Sequence, residues 1–121
     1  MSKTVLVVDD SISMRQMIAF TARDAGFDVL EGANGQDALQ KLQGRRVDVV
    51  ITDLNMPIMD GFSLSRQLRA NPLYKFTPIL MLTTESQDSK KQEGKAAGVT
   101  AWIVKPFKPE QLVAILGKFV R

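Results

Sequence analysis

Short, uninterrupted apolar runs alternate along this chain with segments of helical periodicity, and that alternation leaves few folds open. The apolar runs fall at Thr4–Val8, 47–52, 79–82 and Ala101–Val104, with a weaker member at 28–31. They are rich in Val, Ile and Leu and lack polar alternation, as expected of strands covered on both faces. Between them, Met14, Met17, Ile18, Thr21, Ala22 and Ala25 share one helical face. Leu112, Ile115, Leu116, Phe119 and Val120 repeat the pattern near the C-terminus, and shorter helices are predicted at 36–42, 62–70 and 87–97. Gly26, Gly44 and Gly98 follow helical runs, where a left-handed C-cap is wanted. Asn34 and Asp60 stand where N-caps are wanted. Five β-α units in series imply a doubly wound α/β fold: a parallel sheet, helices on both faces and right-handed crossovers. Such sheets bind ligands outside the carboxyl ends of their strands, where strand order reverses.

The residue inventory narrows the chemistry. The 121 residues suffice for one domain, spanning 1–121, and are too few for two. No apolar run approaches the ~18 residues of a membrane span, and the N-terminus lacks the pattern of a secretory signal. The chain has no cysteine, which excludes a disulfide framework and a thiolate zinc site; a cytoplasmic location is expected. It has no histidine either, which excludes a Ser-His-Asp triad, a phosphohistidine carrier and a His-ligated metal. Any metal must be held by oxygen, which favours Mg²⁺, Ca²⁺ or Mn²⁺. The net charge of +3 points toward acidic partners and gives little support for nucleic-acid binding.

Polar residues collect at the predicted strand ends: Asp9 and Asp10 after the first, Asp53 after the third, Thr83 and Thr84 after the fourth, Lys105 and Pro106 after the fifth. Singly, each reads as a turn, a cap or a solvated charge. Together they put three carboxylates, a hydroxyl and an ammonium at one edge of one sheet. Two carboxylates ~5 Å apart repel by roughly 3 kcal/mol at an effective dielectric of about 20, so three need raised pKa values or a cation. Mg²⁺ suits such a site, because it takes one or two carboxylates plus phosphate oxygens. An aspartate is also a competent nucleophile toward phosphorus, and phosphoryl transfer depends on positioning and charge neutralisation.

The stretches VLVVDDS, VITDLNMPIMDG, ILMLTTES and WIVKPF closely resemble receiver domains of bacterial two-component response regulators, above all the single-domain chemotaxis type. The resemblance covers essentially the whole chain. It implies the flavodoxin-like (βα)5 fold with strand order 2-1-3-4-5. It implies Asp53 as phosphoacceptor, with Mg²⁺ held directly by Asp10 and Asp53, by Asp9 mainly through water, and by the backbone carbonyl of Asn55. Thr83 would hydrogen-bond the phosphoryl group, Lys105 would pair with it, and Pro106 would follow a cis peptide bond.

The same resemblance supplies an account of signalling. Thr83, drawn toward the phosphoryl group, would vacate space for the switch aromatic of the fifth strand, here Trp102, whose ring is bulkier than the Tyr or Phe usual there. The fourth helix carries almost no apolar stripe, and Gly94 inside it costs roughly 0.5–1 kcal/mol relative to Ala, as suits a thinly anchored output element. Lys90, Lys91, Lys95 and Lys108 would form a basic docking patch. Asn55 and Glu85 stand where the family tunes attack of water on the acyl phosphate, which predicts fast self-dephosphorylation; Thr84 replaces the usual small residue and narrows access to Asp53.

The expected partners are a histidine kinase, touching helix 1 and the loop after the fifth strand, an output protein such as a flagellar motor switch component, and a phosphatase. Nucleic acid and membrane are not expected, nor is oligomerisation. No output domain follows Arg121, so the expected output is a separate protein and the chain a switch rather than a turnover enzyme. The alternatives are a phosphate sink, a scaffold receiver without chemistry, a haloacid-dehalogenase-type phosphatase and an FMN-binding flavodoxin-like module. The phosphatase class has its nucleophile after the first strand and carries a cap domain, and flavodoxins need a phosphate cradle that Asp9 and Asp10 would repel.

Overall fold

Each apolar run becomes a strand of one parallel sheet in a computed structural model that describes residues 2–120; the two ends of the 1–121 span, Met1 and Arg121, lie outside the described residues. The elements run β1 Thr4–Val8, α1 Ile12–Asp24, β2 Asp28–Gly32, α2 Gly35–Leu42, β3 Val49–Thr52, α3 Gly61–Ala70, β4 Ile79–Thr83, α4 Asp88–Ala96, β5 Ala101–Val104 and α5 Pro109–Phe119. The strand order is β2-β1-β3-β4-β5 with every pairing parallel, as the resemblance implied.

Three strand limits differ from the sequence reading. β2 runs one residue further, to Gly32, which pairs with Val8. Val47 is buried, but the ladder of β3 begins at Val49. β4 extends through Thr83, which pairs with Val104. The cap residues behave as read. Asn34 and Asp60 accept hydrogen bonds from the backbone N–H groups of Asp37 and Ser63. Gly26, Gly44 and Gly98 have φ of 97°, 79° and 98°, values that cost a residue with a Cβ about 1–2 kcal/mol.

Successive strand residues face opposite sides, so the sheet builds two cores. Val5, Val7, Val49, Ile51, Leu80, Leu82 and Ile103 pack with Ile18 and Ala22 of α1 and Leu112 and Leu116 of α5. Leu6, Val8, Val50 and Ile79 pack with Ala38 and Leu42 of α2 and Leu64 and Leu68 of α3. Leu54, Phe62, Met81 and Ala97 form a third cluster beneath α4 and Trp102. Met17 shares the predicted inner face of α1 yet stays 42% exposed, on the rim between α1 and α5.

β1 lies between β2 and β3, so the chain reverses direction across the sheet between β1 and β3 and leaves a crevice at their carboxyl ends. Asp9 and Asp53 are pinned there: the Asp9 N–H donates to the Gly32 carbonyl (3.1 Å) and the Asp53 N–H to the Val8 carbonyl (2.9 Å). Gly61 lets α3 start against this edge, since a Cβ on it would sit 2.3 Å from the Asp53 carbonyl oxygen and 3.1 Å from the Leu54 Cα.

Gly61→Ala should therefore lose roughly 1–3 kcal/mol, the usual range for overpacking. Gly44→Ala has open space around it and should lose only about 1 kcal/mol through its left-handed backbone. Urea unfolding of both variants checks the order; an equal loss in the two would contradict a steric requirement at Gly61.

Candidate functional site

Three of the predicted acidic residues converge. Asp9, Asp10 and Asp53 each present a carboxylate oxygen within 4.8 Å of the others, Asp9 buried, Asp53 partly buried and Asp10 exposed. Lys105 reaches into the same crevice from the end of β5. Its ammonium donates to Asp9 Oδ2 at 2.9 Å and to Asp53 Oδ2 at 3.4 Å. The Lys105 backbone N–H donates to the Thr83 carbonyl (2.8 Å), which ties the two strand ends together. The Lys105–Pro106 peptide bond is cis.

The carboxylates are held by the backbone as well. Asp9 Oδ1 accepts from the Ser11 N–H (2.9 Å), and Asp53 Oδ1 from the Leu54 N–H (2.7 Å). Asp53 Oδ2 is thus the oxygen turned toward Lys105. Arg15 of α1 donates to the Asp9 carbonyl (2.9 Å) and to Glu31 (3.2 Å), adding positive charge beside the cluster. Sequence reading missed Arg15. Its only signal was a cation one turn into the helix that follows Asp9 and Asp10.

Burial decides the electrostatics of Asp9, which is 1% exposed. Desolvation raises its pKa above the ordinary 3.8. The hydrogen bond and charge of Lys105 and the Ser11 N–H oppose that rise without cancelling it, and Asp53 adds to it. A buried carboxylate pushed in this direction is a site short of positive charge. The donor set, three carboxylates with no histidine or cysteine anywhere in the chain, fits a hard oxygen-seeking cation such as Mg²⁺.

The remaining predicted residues follow β3, end or follow β4, or lie on β5. Thr83 is fully buried at the end of β4, its hydroxyl accepting from the Glu85 N–H at 3.3 Å. Asn55 and Thr84 are exposed and Glu85 is partly buried. Trp102 donates from Nε1 to the Glu85 carbonyl (2.8 Å) and packs on Phe62, ring centroids 6.1 Å apart. The Trp indole and Glu85 are therefore in direct contact, which their separation in sequence does not reveal.

Gly94 acquires a reason that propensity alone had not given it. It is the one buried residue of α4, and a Cβ there would lie 2.7 Å from Trp102 Cζ3. The glycine makes room for the indole. Lys91, Lys95 and Lys108 are exposed, and Lys90 pairs with Glu93 at 3.7 Å.

Comparison with known proteins decides the family. Residues 5–117 match the response regulator receiver domain. The chain belongs to that family. It is 43% identical over 119 residues to the chemotaxis protein CheY1 of Helicobacter pylori, covering 93% of this chain and 96% of that protein. Against the phosphate regulon transcriptional regulatory protein PhoB of Pseudomonas aeruginosa it is 37% identical over 98% of its own residues, but spans only 52% of that relative.

Among solved structures, the chemotaxis protein CheY4 of Vibrio cholerae superposes with a TM-score of 0.95 at 53% identity, covering 99% of this chain and all of that one. The receiver domain of the sensor histidine kinase PA1611 of Pseudomonas aeruginosa, with a magnesium ion coordinated in its active-site cleft, gives a TM-score of 0.90 at 28% identity over 98% of both chains. Receiver domains are signalling switches. Among the described residues, no helix of this receiver domain is long and apolar enough to cross a membrane.

The raised Asp9 pKa gives a pH signature. The folded state holds the Asp9 proton more tightly than the unfolded chain, so this group's contribution to stability is full below pH 3.8 and is lost as pH rises through the folded-state pKa. Asp9→Asn should raise the thermal midpoint of the metal-free protein at pH 7, and the gain should shrink on acidification. A variant that is destabilised at pH 7, or whose gain grows in acid, would contradict the desolvation account.

Proposed function

We propose that this receiver domain takes a phosphoryl group from a phosphohistidine of a kinase onto Asp53 and releases it again by hydrolysis. The reading is carried by one observation: a lysine ammonium that spans Asp9 and Asp53 inside a three-carboxylate cluster at the sheet's switch point. A carboxylate oxygen of Asp53 attacks phosphorus, a P–O bond forms, and the P–N bond to the kinase histidine breaks, its electron pair remaining on the ring. Lys105 follows the growing negative charge from the carboxylates to the phosphoryl oxygens. Thr83 donates its hydroxyl to one of those oxygens. Asp9, Asp10, Asp53 and the Asn55 carbonyl would hold Mg²⁺, which supplies charge neutralisation on the phosphoryl oxygens when bound. Asn55 and Glu85 orient the water that later cleaves the acyl phosphate.

The signal leaves through the β4–α4 segment. Thr83 is bonded to the Glu85 N–H and Trp102 to the Glu85 carbonyl, so a shift of the Thr83 hydroxyl toward phosphate is felt by the indole through one residue. The indole borders a recess with Lys91 and Lys95, which favours an acidic segment of an output protein. The likeness to the chemotaxis proteins CheY1 and CheY4 supports a chemotaxis output. A flagellar motor switch component is the proposed partner, reached by a cytoplasmic, monomeric protein. The groove between α1 and α5, bordered by Met17, Phe20 and Val113, suits the kinase's helical surface. A phosphate-sink role would use the same chemistry without the output contact.

Incubation with acetyl phosphate and Mg²⁺ should add one phosphoryl group by intact mass, and none to Asp53→Ala or in the presence of a chelator. Steady release of phosphate from unrelated phosphate esters would instead favour a phosphatase. Trp102 fluorescence should change on phosphorylation, and Glu85→Leu should lengthen the lifetime of the acyl phosphate severalfold; an unchanged decay rate would remove Glu85 from the hydrolytic step.

A further inference from the structure

The opposite edge of the sheet carries exposed side chains that the phosphoryl chemistry does not use. Leu73 and Phe76, in the segment between α3 and β4, are 63% and 87% exposed. The segment that bears them is tightly held. Arg69 Nη1 donates to the carbonyls of Tyr74 (3.0 Å), Lys75 (3.1 Å) and Thr77 (2.6 Å), while its Nε and Nη2 donate to the Gly98 carbonyl at 3.0 and 2.8 Å. Tyr74 is buried, and its hydroxyl donates to the Arg45 carbonyl at 2.7 Å. Asn71 Oδ1 accepts from the Leu73 N–H. Five hydrogen bonds thus fix a loop whose two large apolar side chains face water, and two more, from Arg69 to Gly98, hold the arginine that makes three of them. Holding apolar groups in place before contact lowers the ordering cost of binding.

Beside them is a concavity of about 450 Å³ lined by Arg46, Asp48, Pro72, Leu73, Phe76 and Pro78, among others. A second recess of about 270 Å³ shares Arg46 and Asp48 and extends to Lys3. Lys3, Arg45, Arg46 and Lys75 are all exposed, and none makes an ion pair among the described residues. Of the acids nearby, Asp48 is occupied by the Thr4 N–H at 2.8 Å, and Asp28 stands at the start of β2 opposite Thr4. Cations are therefore in excess around an apolar recess.

We propose that this face docks an acidic protein segment that carries an apolar anchor residue. The anchor enters between Leu73, Phe76 and Pro78, and its acidic flanks meet Arg45, Arg46, Lys75 and Lys3. The concave form suits an inserted side chain better than a flat lipid surface. The face adjoins the N-terminal ends of β1, β3 and β4, whereas Asp53 follows the C-terminal end of β3. Strands of four and five residues separate the two edges by roughly 15 Å, so docking leaves the phosphoacceptor accessible and does not depend on its state. The proposal stands whether or not Asp53 is phosphorylated.

The test is an amide NMR titration with a short synthetic peptide in which glutamates flank a leucine–phenylalanine pair. Shifts should concentrate at Arg46, Leu73, Phe76 and Thr77, weaken with added salt, and be the same with and without acetyl phosphate and Mg²⁺. Phe76→Ser and Arg46→Glu, both at exposed positions, should retain the thermal midpoint and lose about tenfold in affinity, as for anchor residues. The proposal is overturned by an absence of shifts at millimolar peptide, by equal binding of a control with lysines in place of the glutamates, by undiminished affinity in both variants, or by a preference for phosphatidylserine vesicles over the peptide.

Discussion

The contact between the Lys105 ammonium and the carboxylates of Asp9 and Asp53 is the interaction on which the rest of this molecule is organised. A carboxylate as deeply buried as Asp9 is unfavourable, and the rise in its pKa shows that one lysine does not fully compensate for burial. The unmet demand for positive charge makes the crevice receptive to a divalent cation. Lys105 comes from the last strand, Asp9 from the first and Asp53 from the third. The run of strands from β1 through β3 and β4 to β5 must therefore be in place before the charges can meet.

Backbone geometry around the crevice is set to the same end. The reversal of strand order between β1 and β3 opens the space, and the hydrogen bonds from the Asp9 and Asp53 N–H groups fix where each side chain leaves the sheet. Gly61 brings α3 against the Asp53 carbonyl, and Gly94 brings α4 over the Trp102 ring. The first close approach holds the backbone at Asp53. The second gives the indole a seat under a helix that has little else to anchor it, so movement of Trp102 and movement of α4 are mechanically linked. In the proposed switch, that linkage would carry a local change of charge at Asp53 to the surface.

Much of this was legible in the sequence because two periodicities coexist in it. Uninterrupted apolar runs marked the strands, and caps such as Asn34 and Asp60 marked the helix starts. The order 2-1-3-4-5 came from family resemblance, since neighbouring strands cannot be deduced from runs that are all equally apolar. The residue types at the strand ends pointed to the cluster that Asp9, Asp10, Asp53 and Lys105 form. They could not distinguish Asp9 from Asp10, because which of two adjacent aspartates is buried depends on where the backbone turns after β1. Arg15, the bond from Trp102 to Glu85 and the steric role of Gly94 were hidden for a related reason: each is a contact between segments distant in sequence. Propensity read Gly94 as a weakness of α4, whereas packing explains it. The apolar side chains of the loop before β4 were likewise silent, because Leu73 and Phe76 look like core residues until Tyr74 is seen to take the buried position between them.

The two ends of the sheet differ in chemistry, with a charged crevice at the carboxyl ends of the strands and a cationic apolar recess at their amino ends. Only the first bears on the chemistry, and it is most directly examined by locating the phosphoryl group. Reduction of the phosphorylated protein with sodium borohydride, which converts an acyl-phosphate aspartate to homoserine, followed by peptide mass mapping, identifies the modified residue. Homoserine at position 53 alone is the predicted result. Modification at Asp9 or Asp10, or a phosphoryl group that resists reduction because it sits on a hydroxyl, would contradict the account.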